Sequence, residues 1–199
     1  MDYQHFPCTI GYQPSYRTEA QIYTKYMLEQ KPYPKMAILY RDDEPGREYR
    51  TGVENVLKDK EPDIVVSEAG YQTSDPTVDS QLATLKASGG DVLLVAVTPK
   101  FAAQAIRHMH ELDWHPMFFL SDVSISVGSV MVPASVENGI SIITTGYMKE
   151  PTDPAFKEDK GMNEWRGFMA KYMPGADMTD ANYAFDYGVS MVMLHVLKG

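Results

Sequence analysis

The sequence predicts an α/β protein: a doubly wound, mainly parallel five-stranded sheet with helices on both faces. Three observations lead there. Five short apolar runs, Met36–Tyr40, Ile64–Val66, Val92–Val97, Met117–Leu120 and Ile140–Thr144, alternate with helical patterns, the signature of repeated strand–helix units. The run at 92–97 is apolar at every position, as a strand covered on both faces must be. Residues 91–122 spell strand, crossover helix, strand, with Thr98-Pro99 at the helix start. A hydroxyl in the N-cap position and a proline at the first helical position both suit that start. Ligands of such sheets bind at the carboxyl ends of strands, so Thr98 and Asp122 mark the expected working edge.

The elements follow in order. Phe6–Tyr12 reads as a short strand before a turn at Gln13-Pro14-Ser15. Thr18-Glu19-Ala20-Gln21 has capping-box spacing. The helix it starts puts Ile22, Tyr23, Tyr26 and Met27 on one side and ends near Lys31-Pro32. After Met36–Tyr40 comes a charged loop, Arg41–Gly46, and a helix with Tyr49, Val53, Val56 and Leu57 on one face. Ile64–Val66 leads through the loop Tyr71–Pro76 to a helix with Val78, Leu82 and Leu85 inward, stopped by Ser88-Gly89-Gly90 in the manner of a C-cap. Residues 121–134 predict a loop with one short helix. Further helices are expected from Gly161 to about Met173 and from near Thr179-Asp180 to the end.

Composition narrows the function. A chain of 199 residues buries one good core, or one core with an appendage. Its net charge of −9, from 18 basic and 27 acidic residues, argues against nucleic acid and against an anionic membrane surface. No stretch reaches the ~18 apolar residues that span a bilayer, so no membrane insertion is expected. Met1–His5 has neither the basic nor the apolar region of a signal peptide. The single cysteine, Cys8, excludes an internal disulfide and reads as a small hydrophobe on the early strand.

Few motifs carry chemistry. Asp42-Asp43-Glu44 follows the first strand of the regular series; these residues line a ligand cleft, hold a divalent cation with Asp122, or form a solvated loop. Asp122 is either a turn former or a carboxylate facing an amine or hydroxyl. Tyr12, Tyr40 and Tyr147 sit where strands end and suit stacking on a flat or apolar ligand, or simply mark a boundary. His108 and His110 do not share a helical face, and with His115 they make no zinc spacing. His195 reads as core or edge. There is no GxGxxG, no GxxxxGK[ST] and no G-x-S-x-G, so no cofactor is expected.

Three segments carry a family resemblance: Lys35–Tyr40 with Gly46-Arg47-Glu48-Tyr49; Asp75–Gln81 through Leu85–Gly89; and Thr98–Arg107. They resemble the type I periplasmic substrate-binding proteins of ABC transporters, in the branch for branched-chain amino acids and related carboxylates, aromatic acids included. The resemblance implies two α/β lobes closing on a small ligand, no catalysis, a transporter permease as partner and a periplasmic location. It implies that this chain is mainly the second lobe. Residues 1–16 would be a hinge-proximal strand and turn, 17–176 the ligand-closing lobe, and 177–199 a helix returning to a first lobe. By similarity Asp122 meets a ligand ammonium group and Thr98 lines the cleft, with Glu44, Pro45, Tyr147 and Tyr12 as further ligand-binding candidates. The family often has an aromatic residue where this chain has Pro45, which weakens the case for a plain branched-chain amino acid. Two other readings remain: a ligand-sensing domain of a regulator or receptor, and a metal-dependent enzyme using Asp42, Asp43 and Asp122.

Overall fold

The computed structural model describes residues 4–9 and 11–198. Five strands form one fully parallel sheet: β1 (Met36–Arg41), β2 (Val65–Tyr71), β3 (Val92–Ala96), β4 (Met117–Leu120) and β5 (Ile143–Thr144). Their order is β2-β1-β3-β4-β5. Six main helices accompany them: α1 (Tyr16–Gln30), α2 (Glu44–Leu57), α3 (Asp79–Ala87), α4 (Pro99–Glu111), α5 (Lys160–Tyr172) and α6 (Ala181–Lys198).

Strand periodicity explains the two layers of helix. Successive side chains alternate faces, and in β1 and β3 both faces are apolar. Ala37, Leu39, Leu93 and Val95 meet Leu82, Leu85, Phe101 and Ile106 from α3 and α4. Met36, Ile38, Val92 and Leu94 meet Ala20, Tyr23, Met27, Tyr49 and Val53 from α1 and α2. All eight strand residues are completely buried, each large one contributing roughly 1.5–3 kcal/mol. The chain leaves β1 through α2 on one face and leaves β3 through α4 on the other. Winding therefore reverses between β1 and β3, the place where doubly wound sheets open a crevice.

A third apolar cluster lies apart from these two. Met162, Trp165 and Met169 of α5 pack with Tyr183, Ala184 and Tyr187 of α6. Ser126 ties the start of α6 to the loop after β4, accepting from Ala181 N–H (3.1 Å) and donating to Asp180 (3.1 Å). Beyond Ser190 every described residue of α6 is exposed.

Several expectations are corrected. No strand forms over Phe6–Tyr12: residues 4–9 are turns and irregular backbone, Ile10 lies outside the described residues, and Cys8 is exposed. Ser15, not Thr18, caps α1, accepting from Thr18 N–H at 3.2 Å. The buried face of α1 is Glu19, Ala20, Tyr23, Thr24 and Met27, while Ile22 and Tyr26 are exposed. Glu44–Gly46 is the first turn of α2, because Asp43 caps it by accepting from Gly46 N–H at 3.2 Å. Ile64 belongs to a helical turn, and β2 runs on to Tyr71. Only Ile143 and Thr144 of the expected last strand pair with β4. His195 is exposed.

Candidate functional site

Because all strands are parallel, the carboxyl ends of β1, β3 and β4 share one edge. Two adjoining cavities open there. The first, of about 140 Å³, is lined by Gln13, Asp122, Ser126, Tyr147, Lys149 and Phe185 among others. The second, of about 240 Å³, is lined by Tyr16, Arg41, Pro45, Tyr49, Thr98 and Ser121 among others. Val123 and Asn182 line both.

Asp122 begins the 3₁₀ turn that follows β4 and is 6% exposed. Its N–H donates to Glu19 Oε1 at 2.8 Å. Its Oδ1 is buried with no hydrogen-bond partner among the described residues. A buried acceptor left in that state is costly. Burial first, then the charge of Glu19, push the Asp122 carboxyl up to about 7.

Glu19 reaches the site from α1 and is 2% exposed. Its Oε1 accepts from Tyr23 Oη (2.5 Å), Thr145 Oγ1 (2.8 Å) and Asp122 N–H; its Oε2 accepts from Tyr49 Oη. Tyr23 also donates to Leu120 O (2.8 Å) and accepts from Thr145 N–H (2.9 Å). Burial and the charge of Glu19 raise both phenols, Tyr23 and Tyr49, above the ordinary tyrosine range. This cluster locks α1 and α2 onto the ends of β4 and β5.

An aromatic and amide belt continues from it. Tyr147 donates to Gln13 Oε1 (3.2 Å), Gln13 Nε2 donates to Tyr16 Oη (3.2 Å), and Tyr16 stacks on Tyr49 with ring centroids 5.2 Å apart. Burial, then the Asp122 charge, push Tyr147 up to about 12. Tyr12 stands behind, edge-on to Tyr147 (6.4 Å) and Phe185 (5.4 Å).

Of the six candidates from sequence, Asp122 and Tyr147 line the first cavity and Pro45 and Thr98 the second. Tyr12 lines neither but touches Tyr147. Glu44 is exposed on the first turn of α2 and lines neither. Thr98 occupies the N-cap position of α4, yet its hydroxyl makes no capping bond. Instead Tyr71 Oη accepts from Thr98 N–H (3.0 Å) and lies 3.3 Å from the Thr98 hydroxyl.

The carboxylates of the enzyme reading do not converge. Asp42 accepts from Gln72 Nε2 at 3.2 Å, and Asp43 caps α2 and pairs with Arg41. Among the described residues no three His, Cys, Asp or Glu side chains gather as a metal site. The sequence reading missed Glu19, Tyr71, Val123 and Asn182. Glu19 had one signal: it shares a helical face, at i, i+4 and i+8, with Tyr23 and Met27.

Comparison with known proteins decides the family. Residues 2–199 match the family of periplasmic binding proteins. The chain belongs to that family. A search of curated proteins finds no match. Solved periplasmic binding proteins share its fold. A substrate-binding periplasmic protein from Ralstonia solanacearum is 19% identical, with a TM-score of 0.67, over 84% of this chain and 46% of that one. A branched-chain amino acid ABC transporter protein from Thermus thermophilus with bound valine is 12% identical, TM-score 0.69, over 86% and 43%. A fatty acid ABC transporter substrate-binding protein from Thermomonospora curvata is 18% identical, TM-score 0.67, over 84% and 43%. The chain thus spans less than half the length of each. The periplasmic binding protein fold serves solute binding and is generally not enzymatic. No helix among the described residues is long and apolar enough to cross a membrane.

Proposed function

We propose that this periplasmic binding protein chain is one jaw of a solute-binding component of an ABC importer, acting outside the cytoplasm. Its ligand is a small carboxylate carrying an amino group. Residues 17–176 act as the closing lobe, and 1–16 and 177–199 run toward the opposing jaw. One observation carries the reading: Asp122 Oδ1, buried and without a hydrogen-bond partner among the described residues, in a cavity shared with Tyr147. An ammonium N–H supplies the hydrogen bond that this oxygen lacks, and its charge offsets a carboxylate in a poorly solvated place. The tyrosines around it offer flat, half-polar walls to an aliphatic or aromatic side chain. Pro45 lines the neighbouring cavity, where an aromatic residue common in the family is absent, which favours a side chain other than that of a plain branched-chain amino acid.

Closure follows from shared contact. A ligand held by both jaws shifts an open–closed equilibrium by its differential affinity for the closed state. One jaw alone therefore binds weakly, and chemical-shift mapping is the suitable measurement. Amino acids, their deaminated analogues and aromatic carboxylates are titrated into the ¹⁵N-labelled chain. The expected result is perturbation of Asp122, Val123 and Tyr147 by amino acids, lost on deamination and in Asp122→Asn. Equal perturbation by deaminated analogues overturns the ammonium reading. No perturbation by any carboxylate overturns solute capture at this edge.

A further inference from the structure

The Glu19–Asp122 contact places two buried carboxyl groups side by side at the cavity. Glu19 and Asp122 are 2% and 6% exposed, Glu19 Oε1 accepts from the Asp122 N–H at 2.8 Å, and Asp122 Oδ1 has no hydrogen-bond partner among the described residues. Two buried carboxyl groups held this close do not both ionise freely, so Asp122 keeps its proton to higher pH.

The surrounding charges do not relieve the pair. Tyr23 of α1 and Tyr49 of α2 are neutral donors to Glu19. Tyr147 faces Asp122 from the segment after β5, and Lys149 and Glu150 share its cavity wall. Lys149 is engaged by Asp159 at 2.6 Å. Gln13 and Asn182 are neutral. Asp180, at the start of α6, accepts from Ser126. Arg41 belongs to the second cavity and pairs with Asp43.

We propose that Glu19 is a positioning residue that couples ligand capture to proton release: without ligand the Asp122 carboxyl beside Glu19 holds a proton, and a ligand ammonium group bonds Asp122 Oδ1 as that proton leaves. The O–H bond of the Asp122 carboxyl breaks and its proton passes to solvent. An N–H···O⁻ hydrogen bond from the ligand forms in its place, and nothing is oxidised or reduced. Glu19 does this by fixing the Asp122 backbone through its N–H and by keeping a second negative charge beside the carboxyl. The inference rests on the ammonium reading above, and its test separates the two.

The first measurement needs no ligand. Carbon-13 carboxyl shifts follow the protonation of Asp122 with pH in the ligand-free chain and in Glu19→Gln. The expected result is titration near neutral pH in the parent chain and at least one pH unit lower in the variant. Titration of Asp122 near 4, the ordinary carboxylate value, overturns the proposal, as does an unchanged profile in Glu19→Gln.

The second measurement is calorimetric binding of a responsive amino acid in buffers of different ionisation heat. About one proton should be released per ligand at pH 6, and affinity should rise up to ~10-fold per pH unit from pH 5 to 7. No release and a flat profile overturn the coupling. If Glu19→Gln does not fold, the parent titration and the proton count decide. If Asp122 titrates near neutral but no amine binds at any pH, the ammonium reading fails and the coupling is overturned with it.

Discussion

Glu19 and Asp122, 103 residues apart in the chain, meet through a 2.8 Å hydrogen bond from the Asp122 N–H to Glu19 Oε1. The contact joins the first helix to the turn after β4, so the helix that stiffens one face of the sheet also shapes the edge where ligand is proposed to bind. A buried acid placed beside another acid is a stability cost in the folded state. That cost makes the site visible to simple measurements.

The Asp122 carboxyl is raised from 3.8 to about 7, so the folded chain holds this proton more tightly than the unfolded chain. The associated stability is fully present below pH ~4 and is lost as pH rises through about 7. Asp122→Asn removes the titration. Its Tm relative to the parent should therefore rise between pH 4 and pH 8, measured by calorimetry at both ends. A constant difference would show that Asp122 titrates as an ordinary surface carboxylate.

Tyr23→Phe should cost about 2–3 kcal/mol. The hydroxyl accepts from Thr145 N–H and donates toward Glu19 and Leu120 O, so its loss strands partners on three segments at once. Urea unfolding measures the change. The ring itself stays packed against Phe119, 5.1 Å away between centroids, so the slope of the transition should not alter.

How much of this was legible follows from where burial comes from. Strands β1, β3 and β4 could be read directly because both of their faces are covered, leaving unbroken apolar runs. The outer half of β2, Ser67–Tyr71, could not, since an edge strand with half-exposed residues carries no such run. Ile140–Thr144 misled in the other direction. Ile140 is 76% exposed, and Ser141 adopts a left-handed φ of 73°, which turns the chain out of the extended path before it can pair. The places of Thr98 and Asp122, just past the ends of β3 and β4, were legible because the apolar runs mark where those strands stop. Glu19 was not, because a glutamate near a helix start ordinarily faces solvent. Its burial is imposed by Tyr49, Asp122 and Thr145, all distant in sequence.

Gly46→Ala tests how the second cavity is built. A Cβ at this position would clash with the Arg41 carbonyl oxygen, so only glycine lets the first turn of α2 approach the end of β1 this closely. Overpacking at backbone costs about 1–3 kcal/mol. Because Pro45, Gly46 and Arg41 all line the cavity, the displacement should also perturb the amide resonances of Thr98 and Ser121. Thermal melting and a ¹⁵N correlation spectrum read the two effects.

α6 ends in exposed apolar side chains. Its final turns expose Leu197 (76%), Met193 (56%) and Val196 (50%) with Met191 and Leu194 beside them, and at its inner side an apolar groove of about 480 Å³ runs between Met169, Met173, Tyr187 and Leu194. An apolar helix end exposed in this way gains by burial against any surface that covers it. Among the described residues the first half of α6 is held by Ser126, by Tyr12 and by α5. The 199-residue chain should therefore bind a hydrophobic dye and self-associate with rising concentration, as sedimentation velocity would show. Met193→Lys combined with Leu197→Lys should reduce both while leaving Tm nearly unchanged, because neither side chain contributes to the sheet cores. A large loss of Tm in that double variant would mean that the end of α6 supports the fold.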